Sequence, residues 1–413
     1  MNYYAVIILA ALVANFFLEF ISDILNIKSL NPEVPQDFVD IYDKSVYEKS
    51  QRYTKAQTKF GIISACFSLF ILLVFWFAAG FNSLDLFVRN MGFGPIWTGL
   101  IYIGLLLLLK TVLFLPFQLY STFVLEERFG FNRTRPSTFV LDFVKGLILA
   151  IILGGPLLAS VLALFGFIGP KAWFYCWLVV IVFILFVHFI APTWILPFFN
   201  KFSPLEDKEL KDEILNYAKS VNFSIENISV MDGSRRSSKS NAFFTGFGKH
   251  KRIALFDTLI EKHPTVELVA ILAHEIGHYK KKHILQGMLL SILHMGVMLF
   301  LLSIFLGHQG LFDAFYMEHT STYAGLIFFG LLLSPIEMVL SVLIHFISRV
   351  NEYEADKFAV KTIPNPSDMI LALKKLSKTN LSNLTPHPFH VFLNYSHPPV
   401  LQRIHAIQSY SKE

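Results

Sequence analysis

The sequence predicts a predominantly α-helical, polytopic membrane protein. Three observations predict it. Only 16% of the 413 residues are charged while 54% are hydrophobic, whereas a soluble domain carries about a quarter charged residues. The charge is almost absent from several long runs and crowded between them. Seven of those runs reach the roughly 20 apolar residues that a helix needs to cross a bilayer. The bilayer is therefore the first partner expected. A net charge of +5 is modest, and basic residues in the loops of such a protein report topology, so no nucleic-acid partner is expected. Cys66 and Cys176 lie far apart inside apolar runs and read as small buried hydrophobes, not as a disulfide or a thiolate metal site.

The first apolar run, 4–22, sits in MNYYAVIILAALVANFFLEFISDIL. It lacks a basic leader and a small-residue cleavage site, and is expected to be a retained helix rather than a signal peptide. Runs at 60–80, 97–119, 146–168 and 173–198 complete a first region, 1–200, of five spans and their loops. Residues 201–283 are charged and patterned like a soluble segment. There FSIENISVMDGS and NAFFTGFGKHKRIALFDTLI read as strands, with GFGKHK as a hairpin turn. HPTVELVAILAHEIGHYKKKH then reads as a helix that begins at His263 and Pro264. Runs at 284–307 and 323–347 supply spans six and seven, and 348–413 is again soluble in character.

Lysine and arginine alternate across these spans. The first connection carries Lys28, Lys44, Lys49, Arg52, Lys55 and Lys59; the second has only Arg89. The third has Arg128, Arg133, Arg135 and Lys145; the fourth has only Lys171, and the sixth has none. The bias places the odd-numbered connections and the carboxyl terminus in the cytoplasm, with the amino terminus outside. Asn15, Glu19, Lys110, His188, His294 and Glu337 fall inside spans. Burying ionisable groups in hydrocarbon costs several kcal/mol, so they are expected to face a protein interior or a wet cavity.

AHEIGHYKKKH, residues 273–283, carries the chemistry. His274 and His278 are four apart and share a helix face, so two imidazole nitrogens can reach one metal ion. Glu275 sits beside that pair, where a general base belongs. Gly277 lets another element approach closely. From residue frequencies alone, a chance match to this pattern in the chain has a probability of roughly one or two in a hundred. A catalytic zinc needs a third protein ligand and an open position. SRVNEYEADKFAV, at 348–360, offers Glu352, Glu354 and Asp356. Glu352 and Asp356 share a helix face and Glu354 points away. One of that pair is expected to bind the metal while the other orients a ligand histidine. The histidine helix is expected to run straight into span six and the carboxylate helix straight out of span seven. Neighbouring antiparallel helices would then bring the ligands together at the cytoplasmic membrane face.

These residues resemble the type 1 CAAX prenyl proteases, integral-membrane zinc metallopeptidases. The resemblance runs through YSTFVLEERFGFNRT at 120–134, DGSRRSSKSNAFFTGFGKHKRIALFDTL at 232–259, AHEIGHYKKKH at 273–283, SRVNEYEAD at 348–356 and YSHPPVLQR at 395–403. It implies seven helices around a hydrated chamber, capped by a gluzincin-type metalloprotease domain with a small β-hairpin or sheet. It implies zinc held by His274, His278 and Glu352, with Glu275 as general base and Asp356 behind a ligand histidine. It further implies substrate backbone contacts at Asn241 and its neighbour Ala242, an edge strand suiting peptide binding by strand addition. His397 and Arg403 are implied near the substrate or the developing oxyanion.

The resemblance implies an endopeptidase acting near the carboxyl terminus of prenylated CAAX-type proteins or a related membrane-associated substrate. Short loops and the lack of an evident retrieval signal favour a bacterial inner membrane over an endoplasmic-reticulum membrane. Two other functions fit the residues less closely. One is a general quality-control protease of misfolded or translocon-trapped membrane proteins. The other is a non-catalytic transporter or scaffold with a vestigial metal site.

Overall fold

The computed structural model describes residues 2–225, 227–245 and 252–412. Six of the described helices are long and apolar enough to cross a membrane: Tyr3–Lys28, Lys44–Phe77, Pro95–Glu126, Pro136–Ile168, Ala172–Phe199 and His283–Phe305. The seventh predicted span is two helices, Thr322–Leu332 and Ser334–Thr362, bent by 60°. The cause is local. Pro335 lacks an N–H and its ring clashes with the carbonyl four residues back, so the first helix ends at Leu332.

The spans close a ring. The first touches the second. The second meets the third through Phe60 and Phe67 against Phe117 and Phe114. The third meets the fourth where Gly99 admits Leu162. The fifth packs on the fourth and meets the sixth through Trp177, whose indole N–H donates to the Ile292 carbonyl at 2.8 Å. Thr322–Leu332 then bridges the sixth back to the first. Within the central windows of the six unbroken spans, at most 22% of residues are buried. Inward and outward faces alike are therefore uncovered, unlike those of a close-packed bundle.

Each end of the ring is closed differently. At one end an aromatic core of Tyr4, Trp76, Phe81, Tyr102, Phe312, Phe315, Tyr323 and Phe328 fills the opening. Phe315 stacks on Phe328 with centroids 4.0 Å apart, and the Trp76 indole donates to the Ala314 carbonyl at 2.7 Å. The fully buried Asp85 accepts from Tyr323 Oη and from Arg89 Nε, which satisfies a charge that burial would otherwise penalise heavily.

The other end carries the segment that follows the fifth span. Four short strands, β1 (Phe202–Pro204), β2 (Asn227–Met231), β3 (Ala242–Thr245) and β4 (Arg252–Phe256), lie in the order β1-β2-β4-β3. β1 pairs antiparallel with β2, β2 parallel with β4, and β3 antiparallel with β4. β3 and β4 are the expected hairpin strands; the turn expected at 246–251 lies outside the described residues. β1 was not foreseen in the sequence.

Under the sheet runs the histidine helix, Thr265–Lys280. It starts where expected, with Pro264 as its cap, and carries Glu267 in the first turn and Lys280 in the last, both favourable to the helix dipole. Apolar residues surround it. Leu268, Ile271 and Leu272 pack with Leu210, Ile214, Ile253 and Leu255. Ala270, Ala273 and Ile276 pack with Ala359, Met369, Leu373 and Ile407.

The histidine helix does not run straight into the sixth span. Lys282 adopts φ 62 and ψ 27, a left-handed conformation that ends one helix and starts the next at His283. A lysine pays a steric cost there that glycine would not, so nothing in the sequence marked the break.

Candidate metal centre

Three side chains from two helices converge. His274 and His278 face the same way on the histidine helix, as their spacing dictates. Glu352 lies on Ser334–Thr362, which crosses that helix. Glu352 Oε1 is 3.2 Å from His278 Nε2, Glu352 Oε2 is 3.4 Å from His274 Nε2, and the two Nε2 atoms are 3.1 Å apart. One donor atom from each residue falls within a sphere where all lie inside 4.8 Å of one another. The buried Glu352 Oε2 has ionic neighbours, Arg403 Nη1 at 3.2 Å and His274 Nε2 at 3.4 Å, but accepts no well-aligned hydrogen bond. Two imidazoles and a buried carboxylate whose donor atoms converge on one point fit a divalent cation.

The crossing is close because of Gly277. A Cβ at that position would stand 3.0 Å from the Ala355 carbonyl oxygen. Behind the donors, Asp356 and Arg403 complete a buried network. Asp356 Oδ1 lies 2.8 Å from His274 Nδ1, and the fully buried Asp356 carboxylate receives Arg403 Nε at 2.8 Å and Nη2 at 2.6 Å. Arg403 Nη1 also reaches Glu352 Oε2 at 3.2 Å. The Asp356 carboxylate thus orients one imidazole while the guanidinium balances two acids. Of the two carboxylates left open by sequence spacing, Glu352 faces the histidine pair and Asp356 stands behind it.

His397 and Arg403 come from one local device. Pro398 and Pro399 lead into the helix Val400–Tyr410, so His397 precedes it and Arg403 sits in its first turn. His397 reaches the rim, where its Nε2 is 3.3 Å from Glu352 Oε1 and its ring is mostly exposed. Arg349 lies three residues before Glu352 on the same helix. It donates to the carbonyls of Val391 and Tyr395, which steadies the segment before His397.

Glu275 projects into the same cavity of about 400 Å³ as Asn241, Ala242, His274, His278, Glu352, His397 and Arg403. Burial raises the Glu275 pKa, with Glu352 adding to the effect against His274, His278 and Arg403. A carboxylate whose proton affinity is raised is better suited to accept and return a proton near neutral pH.

Ala242 opens β3, the strand at the sheet edge, and Asn241 immediately precedes it. The Asn241 carbonyl accepts from Phe256 N–H at 3.2 Å, and its exposed side chain turns back to the Ala242 N–H at 2.9 Å. Two groups hold this edge. The Asn380 amide both accepts from Ser240 N–H, at 3.0 Å, and donates to the Ser240 carbonyl, at 3.2 Å. The 120–134 motif supplies the second. Asn132 bridges Ser237, the Phe131 carbonyl accepts from Ser238 N–H, and Glu126 binds both Tyr53 Oη, at 2.6 Å, and Lys239 Nζ, at 3.0 Å.

Residues 23–201 match the family described as CAAX prenyl protease N-terminal, five membrane helices, and residues 204–411 match peptidase family M48. The chain is 34% identical to CAAX prenyl protease 1 of Saccharomyces cerevisiae, across 92% of this chain and 90% of that protein. It is 32% identical to the human CAAX prenyl protease 1 homolog, across 91% and 89%. The chain belongs to the type 1 CAAX prenyl protease family. The crystal structure of S. mikatae Ste24p superposes on this family member with a TM-score of 0.93 at 33% identity, covering 98% of this chain and 99% of that one.

As a type 1 CAAX prenyl protease, the protein is a multi-pass membrane metalloendopeptidase. The residues that sequence reasoning missed in this protease are those that hold the site from outside. Asn380 lies outside every quoted metal motif and Arg349 sits in the 348–360 motif without touching the metal donors; both act through backbone groups, which leave no letter pattern. His283 ends the histidine motif itself, yet five residues from His278 it falls off the shared face of an ideal helix.

Proposed function

We propose that this protease uses zinc, held by His274, His278 and Glu352, to cleave peptide bonds near the carboxyl terminus of prenylated CAAX-type proteins. The single observation that carries the reading is the convergence of that donor trio with Glu275 in one cavity edged by β3. The borderline-soft N₂O donor set with an open side is one that catalytic zinc accepts. The relatives' names support the substrate class.

A zinc ion bound there polarises the scissile carbonyl and lowers the pKa of water toward about 7. The chain's own residues do the rest. Asn241 and Ala242 take the substrate backbone as an added strand on β3. Glu275 accepts the proton of the attacking water and delivers it to the leaving amine. His397 and Arg403 stand where negative charge develops on the carbonyl oxygen. Asp356 keeps the His274 hydrogen on Nδ1, so that Nε2 is free to bind metal.

The division of labour follows the chain: 1–200 holds five spans, 201–283 and 348–413 build the protease, and 284–347 inserts spans six and seven between them. The alternation of basic loops supports a cytoplasmic site and an outside amino terminus. That orientation is the same in a bacterial inner membrane and in an endoplasmic-reticulum membrane. The uncovered inner faces of the ring support a water-filled interior in which a substrate tail can lie.

The test pairs a farnesylated CAAX peptide with an unprenylated membrane protein and uses Glu275→Gln as the blank. Zinc is retained in that variant and cleavage falls by about 10² to 10⁴, the usual contribution of general acid–base catalysis. Full activity in Glu275→Gln refutes the mechanism. Cleavage of the unprenylated protein alone refutes the substrate class and favours quality-control proteolysis.

A further inference from the structure

The second ligand imidazole is backed by a chain of hydrogen-bonding groups. His278 Nδ1 lies 3.0 Å from His283 Nδ1. His283 Nε2 lies 3.4 Å from Glu354 Oε2. His283 is buried, at 8% exposure, while the Glu354 side chain is half-exposed. On an unbroken helix a residue five positions on would point roughly 140° away. The left-handed Lys282 breaks the helix and lets His283 face His278.

One requirement fixes every hydrogen in this chain. An imidazole that offers Nε2 to a metal carries its hydrogen on Nδ1. His278 Nδ1–H then donates, so His283 Nδ1 accepts and is bare. A neutral His283 therefore carries its hydrogen on Nε2, the atom that faces the Glu354 carboxylate. His274 has the same support in a single step, from Nδ1 to Asp356 at 2.8 Å.

We propose that His283 and Glu354 are positioning residues for His278: together they fix its tautomer and ring plane and raise its basicity toward the metal. Glu354, on the face of its helix away from Glu352 and Asp356, acquires a role through His283 that its own geometry toward the metal denies it. The inference rests on the reading of His274, His278 and Glu352 as zinc ligands.

The test measures zinc affinity of the purified full chain by chelator competition, with the absorption bands of the cobalt-substituted protein as a second readout. His283→Phe keeps the ring and removes the acceptor. Its zinc Kd is expected to rise about 10- to 100-fold, with shifted cobalt bands, as for other outer-layer partners of metal ligands. His283→Gln, which restores an acceptor, recovers part of the loss. Glu354→Ala, at a half-exposed position that folding tolerates, weakens zinc by several-fold. The double variant binds no worse than His283→Phe, because Glu354 acts through that ring. Single variants within about twofold of the parent Kd, with unchanged cobalt bands, overturn the proposal, as does full additivity. If His283→Phe fails to fold, Glu354→Ala decides. Absence of stoichiometric zinc in the parent chain overturns the metalloprotease reading instead.

Discussion

Gly277 and Ala355 meet where the two donor-bearing helices cross: a Cβ on the glycine would stand 3.0 Å from the alanine carbonyl oxygen and 3.1 Å from its Cα. Backbone atoms cannot rotate out of the way, so Gly277→Ala must push the helices apart by some tenths of an ångström. Alanine gains about 1 kcal/mol of helix propensity, which keeps the fold intact. Glu352 nevertheless moves away from both imidazoles. Zinc Kd is expected to rise by about tenfold or more, since coordination tolerates only about 0.2 Å. Chelator competition checks this, and parental affinity in the alanine variant sinks it.

Asp356 is fully buried and bonds both His274 and Arg403. Asp356→Ala leaves the Arg403 guanidinium buried without its main counter-ion. Breaking such a pair costs about 3–5 kcal/mol, and zinc binding weakens by about 10- to 100-fold through His274. Denaturant unfolding of the metal-free protein reads the first effect and metal competition the second. A stability loss below about 1 kcal/mol would show that the network is not worth what its burial implies.

Burial pushes the His274 imidazole down and the Arg403 charge adds to that, but the Asp356 and Glu352 carboxylates outweigh both and lift its pKa to about 9. The metal-free site therefore holds a proton at pH 7. The raised value means that His274 protonation stabilises the metal-free fold fully below its ordinary 6.5 and that this contribution fades as pH rises through about 9. Zinc must displace the proton, so its apparent affinity climbs across that same window and levels off above it. Calorimetry in buffers of different ionisation enthalpy should show about one proton released per zinc at pH 7. A heat independent of buffer rules this out.

Asn380 grips Ser240 through both its backbone groups, two residues before the β3 edge. Asn380→Ala frees that edge without touching the donor trio. KM is expected to rise by several-fold, with zinc affinity unchanged and kcat within about twofold, because uniform substrate binding is what is lost. Steady-state kinetics on a fixed peptide separates the two constants. A fall in kcat with KM unchanged contradicts the assignment of Asn380 to substrate positioning.

Much of this architecture was legible in the letters because it follows from periodicity. Spans declare themselves by length and hydropathy, the loop lysines and arginines by their alternation, and His274 with His278 by a spacing of four. Glu352 and Asp356 share a face by the same rule. What stayed hidden depends on backbone rather than side-chain pattern. Lys282 takes a left-handed conformation that sequence assigns to glycine, and the break it makes conceals His283 from helical arithmetic. Asn380 and Arg349 bind carbonyls and an amide. The bend at Leu333 was masked because apolar residues continue across it. The aromatic closure of the far end joins Trp76, Phe315 and Phe328, residues far apart in sequence whose meeting no local pattern foretells.

Ser334–Thr362 is one unbroken rod that begins at the bend within the seventh apolar run and carries Glu352 beyond the end of that run. From Leu333 to Glu352 it spans roughly 28 Å at the helical rise. A swing of about 3° at the bend displaces the carboxylate by roughly 1.5 Å, enough to open or close a coordination sphere. Lipid thickness alters the tilt of such rods. Metal affinity is therefore expected to vary with the acyl-chain length of the host bilayer, unless the histidine helix, locked to the rod at Gly277, swings with it.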